Sequence, residues 1–201
     1  RMLSFFFRGI LERVTLIMAQ SGEHAKRFLS LGLKKATVVD TGNIKYVRDI
    51  SAINNKEHDH MTITFGSIRD NELDIMIPVI QRLHKAWPGL RLFVAPRQLD
   101  LVEPLQKRLG SFTSVALYSA ARDAEPVPAG TILVDTVGDL TGLYGMSAAA
   151  FVGGSMAPFG GHNMIEPLLF GTPVLFGPYT ENFHDAAEEI VACVAGRRVF
   201  S

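Results

Sequence analysis

Cysteine is almost missing from this chain: Cys193 stands alone among 201 residues, which excludes an internal disulfide and any multi-cysteine zinc cage. A lone cysteine suits a reducing compartment, and its ordinary place is inside a core. An excess of either charge is missing as well. Twenty basic residues balance twenty acidic ones, so the chain offers no field for a polyanion, and nucleic acid is not an expected partner. Long apolar runs are absent too. The N-terminal hydrophobic stretch is broken by Arg8, Glu12 and Arg13, far short of the roughly 20 residues that a membrane span requires. Phe5, Phe6 and Phe7, flanked by Arg1 and Arg8, suit either a lipid surface or a helix face whose packing partner lies elsewhere.

The chain opens on Arg1 rather than methionine and is expected to be a piece of a longer protein. It carries no internal repeat, no G-x-G-x-x-G dinucleotide fingerprint, no P-loop, no serine nucleophile elbow and no Cys–His nucleophilic pair. His58-Asp59-His60 has no third ligand at a useful spacing, so neither a metal nor another cofactor is expected.

What is present is 47% apolar and 20% charged, the composition of a packed globular chain rather than a disordered one. Short β-branched runs alternate with amphipathic stretches, the pattern of a parallel sheet covered on both faces. Residues 14–19 and 36–40 read as strands around a helix at 21–31 that Ser21 can cap. Residues 42–60 are polar and aperiodic and read as a linker. Beyond it, strands are expected at 61–65, 90–95, 114–118, 131–134, 148–152 and 173–176. Helices are expected at 70–86, 99–109, 139–146, 164–170 and 182–195, the last ending at Gly196 as a C-cap.

Ligands of open parallel sheets settle where strands hand over to helices, so the residues just after each strand carry the chemistry. Gly153-Gly154-Ser155-Met156-Ala157-Pro158-Phe159-Gly160-Gly161-His162-Asn163 follows a strand and leads into a helix. Such a loop either binds an anion on free amides, with Gly160 and Gly161 admitting close approach, or is a tight turn with no ligand. Glu166 shares a helix face with Asn163. Its carboxylate either accepts from two ribose hydroxyls or complements the helix dipole. His162 taken by itself fits a hydrogen-bonded loop residue better than a catalyst. Arg97, after Leu92-Phe93-Val94-Ala95-Pro96, either grips a phosphate or carboxylate or is solvated. Gly138 opens the turn Asp135-Thr136-Val137-Gly138-Asp139 to a ligand or serves a plain cap.

Gly153-Gly154-Ser155, Gly160-Gly161-His162-Asn163, Glu166-Pro167 and Gly171-Thr172-Pro173-Val174-Leu175-Phe176-Gly177-Pro178 together resemble the carboxyl-terminal half of 3-deoxy-D-manno-octulosonic acid (Kdo) transferases. Gln20-Ser21, Thr41-Gly42-Asn43-Ile44-Lys45, Pro96-Arg97 and Asp135–Leu140 resemble further blocks of that family in the same order. The resemblance implies an α/β, Rossmann-like parallel sheet, the nucleotide-sugar-binding domain of a GT-B glycosyltransferase. Residues 1–41 would end the amino-terminal acceptor domain, 42–60 would link, and 61–201 would bind CMP-Kdo. Arg97, Gly138, Asn163 and Glu166 would contact CMP, the Gly160 and Gly161 amides and His162 would lie by the donor, and Lys45, Ser67 and Arg69 would line the cleft. Where the family shows Ser-Thr-His-Glu, this chain has Ser67-Ile68-Arg69-Asp70, with Arg in place of His.

The activity implied is inverting transfer of Kdo from CMP-Kdo to a lipid A precursor at the cytoplasmic face of the bacterial inner membrane, without a metal. The general base would lie outside this chain, so the isolated piece would be inactive. The alternatives are a GT-B transferase or epimerase using a UDP-sugar, and a non-catalytic nucleotide-binding domain.

Overall fold

The β-branched runs of the sequence become strands, most of them side by side in one sheet. The computed structural model describes residues 2–33, 36–42, 59–123 and 129–200. The chain divides into two units, Arg1–Ser51 and Ala52–Ser201. Most of the expected linker, including Lys45, and also His58, lies outside the described residues.

In the first unit α1 (Met2–Leu11) precedes β1 (Leu16–Ala19), α2 (Gly22–Ser30) and β2 (Thr37–Asp40). The strands pair in parallel, from Leu16 with Thr37 to Ala19 with Asp40. Ser21 caps α2 as expected: it is extended and its hydroxyl accepts from the His24 amide.

In the second unit the order is β3 (Asp59–Ile68), α3 (Leu73–Ala86), β4 (Arg91–Pro96), α4 (Val102–Leu109), β5 (Val115–Leu117), α5 (Tyr118–Ala121), β6 (Gly130–Leu133), α6 (Leu140–Tyr144), β7 (Ser147–Val152), α7 (Ile165–Leu168), β8 (Val174–Phe176), α8 (His184–Ala192) and β9 (Gly196–Arg198). The strands form one parallel sheet in the order β5-β6-β4-β3-β7-β8-β9. Alternate residues of each strand serve opposite faces. Leu92 and Val94 of β4 join Phe65, Ile77, Ile80 and Leu109 on one side, while Phe93 and Ala95 join Ile132, Val134 and Leu143 on the other. Hydroxyls buried between the central strands are paired. The Thr64 and Ser147 hydroxyls lie 2.7 Å apart, and Ser147 donates to the Leu143 carbonyl at 2.9 Å, tying β3 to β7 and α6.

Three sequence expectations fail. Gly196 does not cap α8; it begins β9, where a Cβ would strike the Val174 carbonyl and Ile190. The left-handed residue after α8 is instead Val194. Cys193 is exposed at the C-cap of α8 rather than in a core. The short helix α5 follows β5 directly, where only a strand was expected.

After β3 the chain lays down β4 beside it, goes out to the edge for β5, returns to place β6 between β5 and β4, then crosses to the other side of β3 to lay down β7. The reversal opens a crevice at the carboxyl ends of β3 and β7, the place where open α/β sheets bind ligands. Gly66 near the end of β3 is required by packing: a Cβ there would occupy the position of the buried Tyr144 hydroxyl. Gly66→Ala is therefore expected to cost about 3 kcal/mol or more in urea denaturation, and a variant as stable as the parent would contradict this packing.

Candidate functional site

Beyond Gly66 the backbone of β3 is forced out of its regular path. Ser67 has φ of +57°, a left-handed conformation that residues other than glycine rarely take, and the pairing register with β4 shifts between Phe65 and Ile68. This bulge lies beneath the glycine-rich loop: a Cβ on Gly153 would strike the Ser67 carbonyl.

The loop is held by a residue from the other side of the crevice. Glu72, in the single 3-10 turn Asp70–Glu72 ahead of α3, is fully buried. Its Oε2 accepts from the amides of Arg69 at 3.0 Å and Gly154 at 2.7 Å, and its Oε1 from those of Ser155 at 3.0 Å and Met156 at 2.9 Å. Charge-assisted bonds of this kind offset the desolvation of a buried carboxylate. Ser155 adds a second tie, its hydroxyl donating to the Val152 carbonyl and accepting from the Gly177 amide.

This arrangement corrects the expectation of a free amide cradle. Three amides of the loop are occupied by Glu72, and those of Gly161 and His162 donate to the carbonyls of Gly154 and Gly153 at 2.7 and 3.2 Å. Gly160 and Gly161 have φ of +101° and +82°, and a Cβ on Gly160 would meet the Asn182 side chain. Asn182 itself donates to the Phe159 and Gly160 carbonyls. Both glycines take a left-handed path, and the Gly161 amide is engaged within the loop.

Side chains gather beside the loop. The Arg69 guanidinium lies 3.6 Å from the centroid of the Phe159 ring, which in turn packs against the His162 imidazole at 5.2 Å. His162 Nε2 is buried without a hydrogen-bond partner. Burial, reinforced by the positive charges of Arg97 and Arg69, lowers the His162 pKa to about 4, against an opposing pull from Glu72. The imidazole is therefore neutral at pH 7. Arg97 follows β4, its amide donating to the Ile68 carbonyl at 2.8 Å.

Asn163 and Glu166 lie at the start of α7. Asn163 Oδ1 accepts from the Ile165 amide, and its Nδ2 donates to Glu166 Oε1, both at 3.1 Å. This orients the carboxylate. Glu166 also faces Tyr144, whose hydroxyl pKa is raised by burial and by that negative charge. Gly138 lies on the neighbouring loop after β6 with φ of +98°, next to a Thr136 hydroxyl that donates to Asp139. No atom lies within 4 Å of where its Cβ would be, and no contact joins it to the Arg69–His162 cluster among the described residues.

The structure thus brings Ser67, Arg69, Arg97, His162, Asn163 and Glu166 to one crevice and leaves Gly138 on its margin. Sequence reasoning missed Glu72 and Phe159. Half of a capping box, an acid three residues beyond the extended Arg69, was the available signal for Glu72. Phe159 had none.

Residues 1–48 match the family described as 3-deoxy-D-manno-octulosonic-acid transferase (kdotransferase). A 3-deoxy-D-manno-octulosonic acid transferase of Chlamydophila psittaci is 31% identical over 96% of this chain and 46% of its own length. A bifunctional glycosyltransferase/methyltransferase of Fusobacterium nucleatum is 32% identical over 98% of this chain and 32% of its own. The chain therefore spans half or less of these curated relatives. The crystal structure of the C-terminal CMP-Kdo binding domain of WaaA from Acinetobacter baumannii superposes with a TM-score of 0.60 at 24% identity, covering 71% of this chain and 74% of that one, and the fold is shared.

Glu72→Gln sets an amide NH2 against backbone donors. It is expected to lower stability by about 3 kcal/mol and to speed hydrogen exchange at Gly154, Ser155 and Met156. Unchanged exchange at those amides would show that the carboxylate does not hold the loop. For His162, the folded pKa lies below the ordinary 6.5, so between those values the unfolded chain binds more protons. Its contribution to stability is complete above pH 6.5 and falls as pH drops toward about 4. An NMR titration of the imidazole should place the midpoint near 4; a midpoint near 6.5 would mean an open, solvated ring.

Proposed function

Since the chain belongs to the Kdo transferase family, with curated members matching it along nearly its full length, we propose that its larger unit binds CMP-Kdo as the donor half of such an enzyme. The observation that carries this reading is the set of groups at the strand ends where the sheet order reverses: Arg69 and Arg97 follow β3 and β4 and act on His162, and an Asn163-oriented carboxylate opens α7 after β7. Glu166 would accept from the ribose hydroxyls and Arg97 would meet the phosphate, and the likeness in fold to the C-terminal CMP-Kdo binding domain of WaaA supports the reading.

The whole protein would transfer Kdo to a lipid A precursor at the cytoplasmic face of the bacterial inner membrane, in the assembly of lipopolysaccharide. Transfer would invert the anomeric centre. A base removes the acceptor hydroxyl proton, the acceptor oxygen bonds to the anomeric carbon, and the bond from that carbon to the phosphate oxygen breaks with its electrons leaving on CMP. Arg97 would stabilise the charge gathering on the phosphate, and the crevice would fix the donor's orientation. Glu72 is saturated by four amides and Glu166 is assigned to the ribose hydroxyls, so neither is the base in this reading. The base would belong to the part of such a transferase that this chain does not cover, and the piece alone would bind donor without turning it over.

Titration calorimetry is the direct test. CMP is expected to bind and UMP to bind at least about tenfold more weakly, with Arg97→Ala or Glu166→Ala costing a further factor of about ten. Equal affinity for the two nucleotides in folded protein would favour a UDP-sugar enzyme instead.

A further inference from the structure

Arg69 and Arg97 stand at matching positions on neighbouring parallel strands. Ile68 pairs with Pro96 across β3 and β4, and the Arg97 amide bonds the Ile68 carbonyl, so the two arginines leave the sheet side by side, about 5 Å apart at the main chain. Arg8, Arg27, Arg108 and Arg198 are each paired with a carboxylate, whereas among the described residues Arg69 and Arg97 have no ion pair and no side-chain hydrogen bond. The nearest acid, Glu72, turns both its oxygens inward to backbone amides. Two positive charges thus stand unneutralised at one end of a chain whose formal net charge is zero.

Arg69 is also held in place. Its guanidinium is stacked on the face of Phe159, which fixes its plane and leaves its N–H edge free for a planar, bidentate partner. A CMP group offers one phosphate, and Arg97 is already assigned to it. A sugar that is an octulosonic acid, joined through the carbon beside its carboxylate, carries a second anion a few bonds from the phosphorus. Most amides of the glycine-rich loop are already engaged, those of Gly154, Ser155 and Met156 by Glu72 and those of Phe159, Gly161 and His162 by carbonyls of the loop, so a side chain is the better placed donor for that anion.

We propose that Arg69, propped by Phe159, reads the carboxylate of the transferred sugar, so that this site selects nucleotide sugars built on 2-keto acids. The inference rests on the donor-site reading above and goes beyond it by naming the residue that distinguishes the donor from a neutral nucleotide sugar.

The test measures the affinity of the full chain for two probes, CMP and CMP-Kdo, in the parent and in Arg69→Met, Arg69→Gln, Phe159→Leu and Arg97→Met. Arg69→Met is expected to weaken CMP-Kdo by about 10- to 100-fold while leaving CMP within about twofold. Phe159→Leu should give a smaller loss with the same selectivity, and Arg97→Met should weaken both probes alike. Arg69→Gln gives the same comparison should the methionine variant fail to fold. Equal weakening of CMP and CMP-Kdo by the Arg69 variants would place both arginines on the phosphate and overturn the proposal. No change for either probe would overturn it as well. A parent that binds neither probe would overturn the donor-site reading, and this proposal with it, and is told apart because the loss then precedes any substitution.

Discussion

The crevice depends on one buried carboxylate. Glu72 gathers four backbone amides from two segments, one at the start of its own helix and one in the loop after β7. Each of those groups would be costly to bury alone, and together they satisfy one another. The consequence for recognition is a division of labour. A glycine-rich loop after a strand usually meets an anion with its main chain, but here three of its amides are turned to the loop's own internal carboxylate, while the Arg69 and Arg97 side chains stand at the ends of β3 and β4.

Placement follows from topology. β3 sits at the centre of the sheet, with β4 on one side and β7 on the other, and the crossover from one side to the other leaves their carboxyl ends uncovered. The bulge at Ser67 lets β3 pass beneath the loop and deliver Arg69 to the rim. The stack of Arg69, Phe159 and His162 then joins the end of β3 to the far end of the same loop. His162 remains neutral there because burial and the adjacent guanidinium groups disfavour its charged form, so it adds no repulsion against the two arginines.

The layered α/β pattern and the strand ends were legible in the sequence because strand periodicity and turn residues are local properties. Arg97, Asn163 and Glu166 could be picked out by position alone, since each follows a strand or opens a helix. Glu72 could not. As Asp70-Asn71-Glu72 it reads like any solvated acidic turn, and only the fold reveals that amides 82 to 84 residues away converge on it. Gly160 and Gly161 show a related limit: glycine signals an unusual backbone but not its cause, and here both take left-handed φ, with Asn182 packed where a Gly160 Cβ would lie. Gly196 and Cys193 misled because the end of α8 is set by Val194, a residue with no turn preference of its own.

The separation between Glu72 and the amides it binds also bears on how the protein is born. During synthesis the acidic turn emerges about 80 residues before Gly154, several seconds ahead at ordinary elongation rates. Throughout that interval the carboxylate stays hydrated, and the loop that will seal it does not yet exist. The crevice therefore cannot be complete until β7 lies beside β3, when the loop amides replace water around the Glu72 carboxylate.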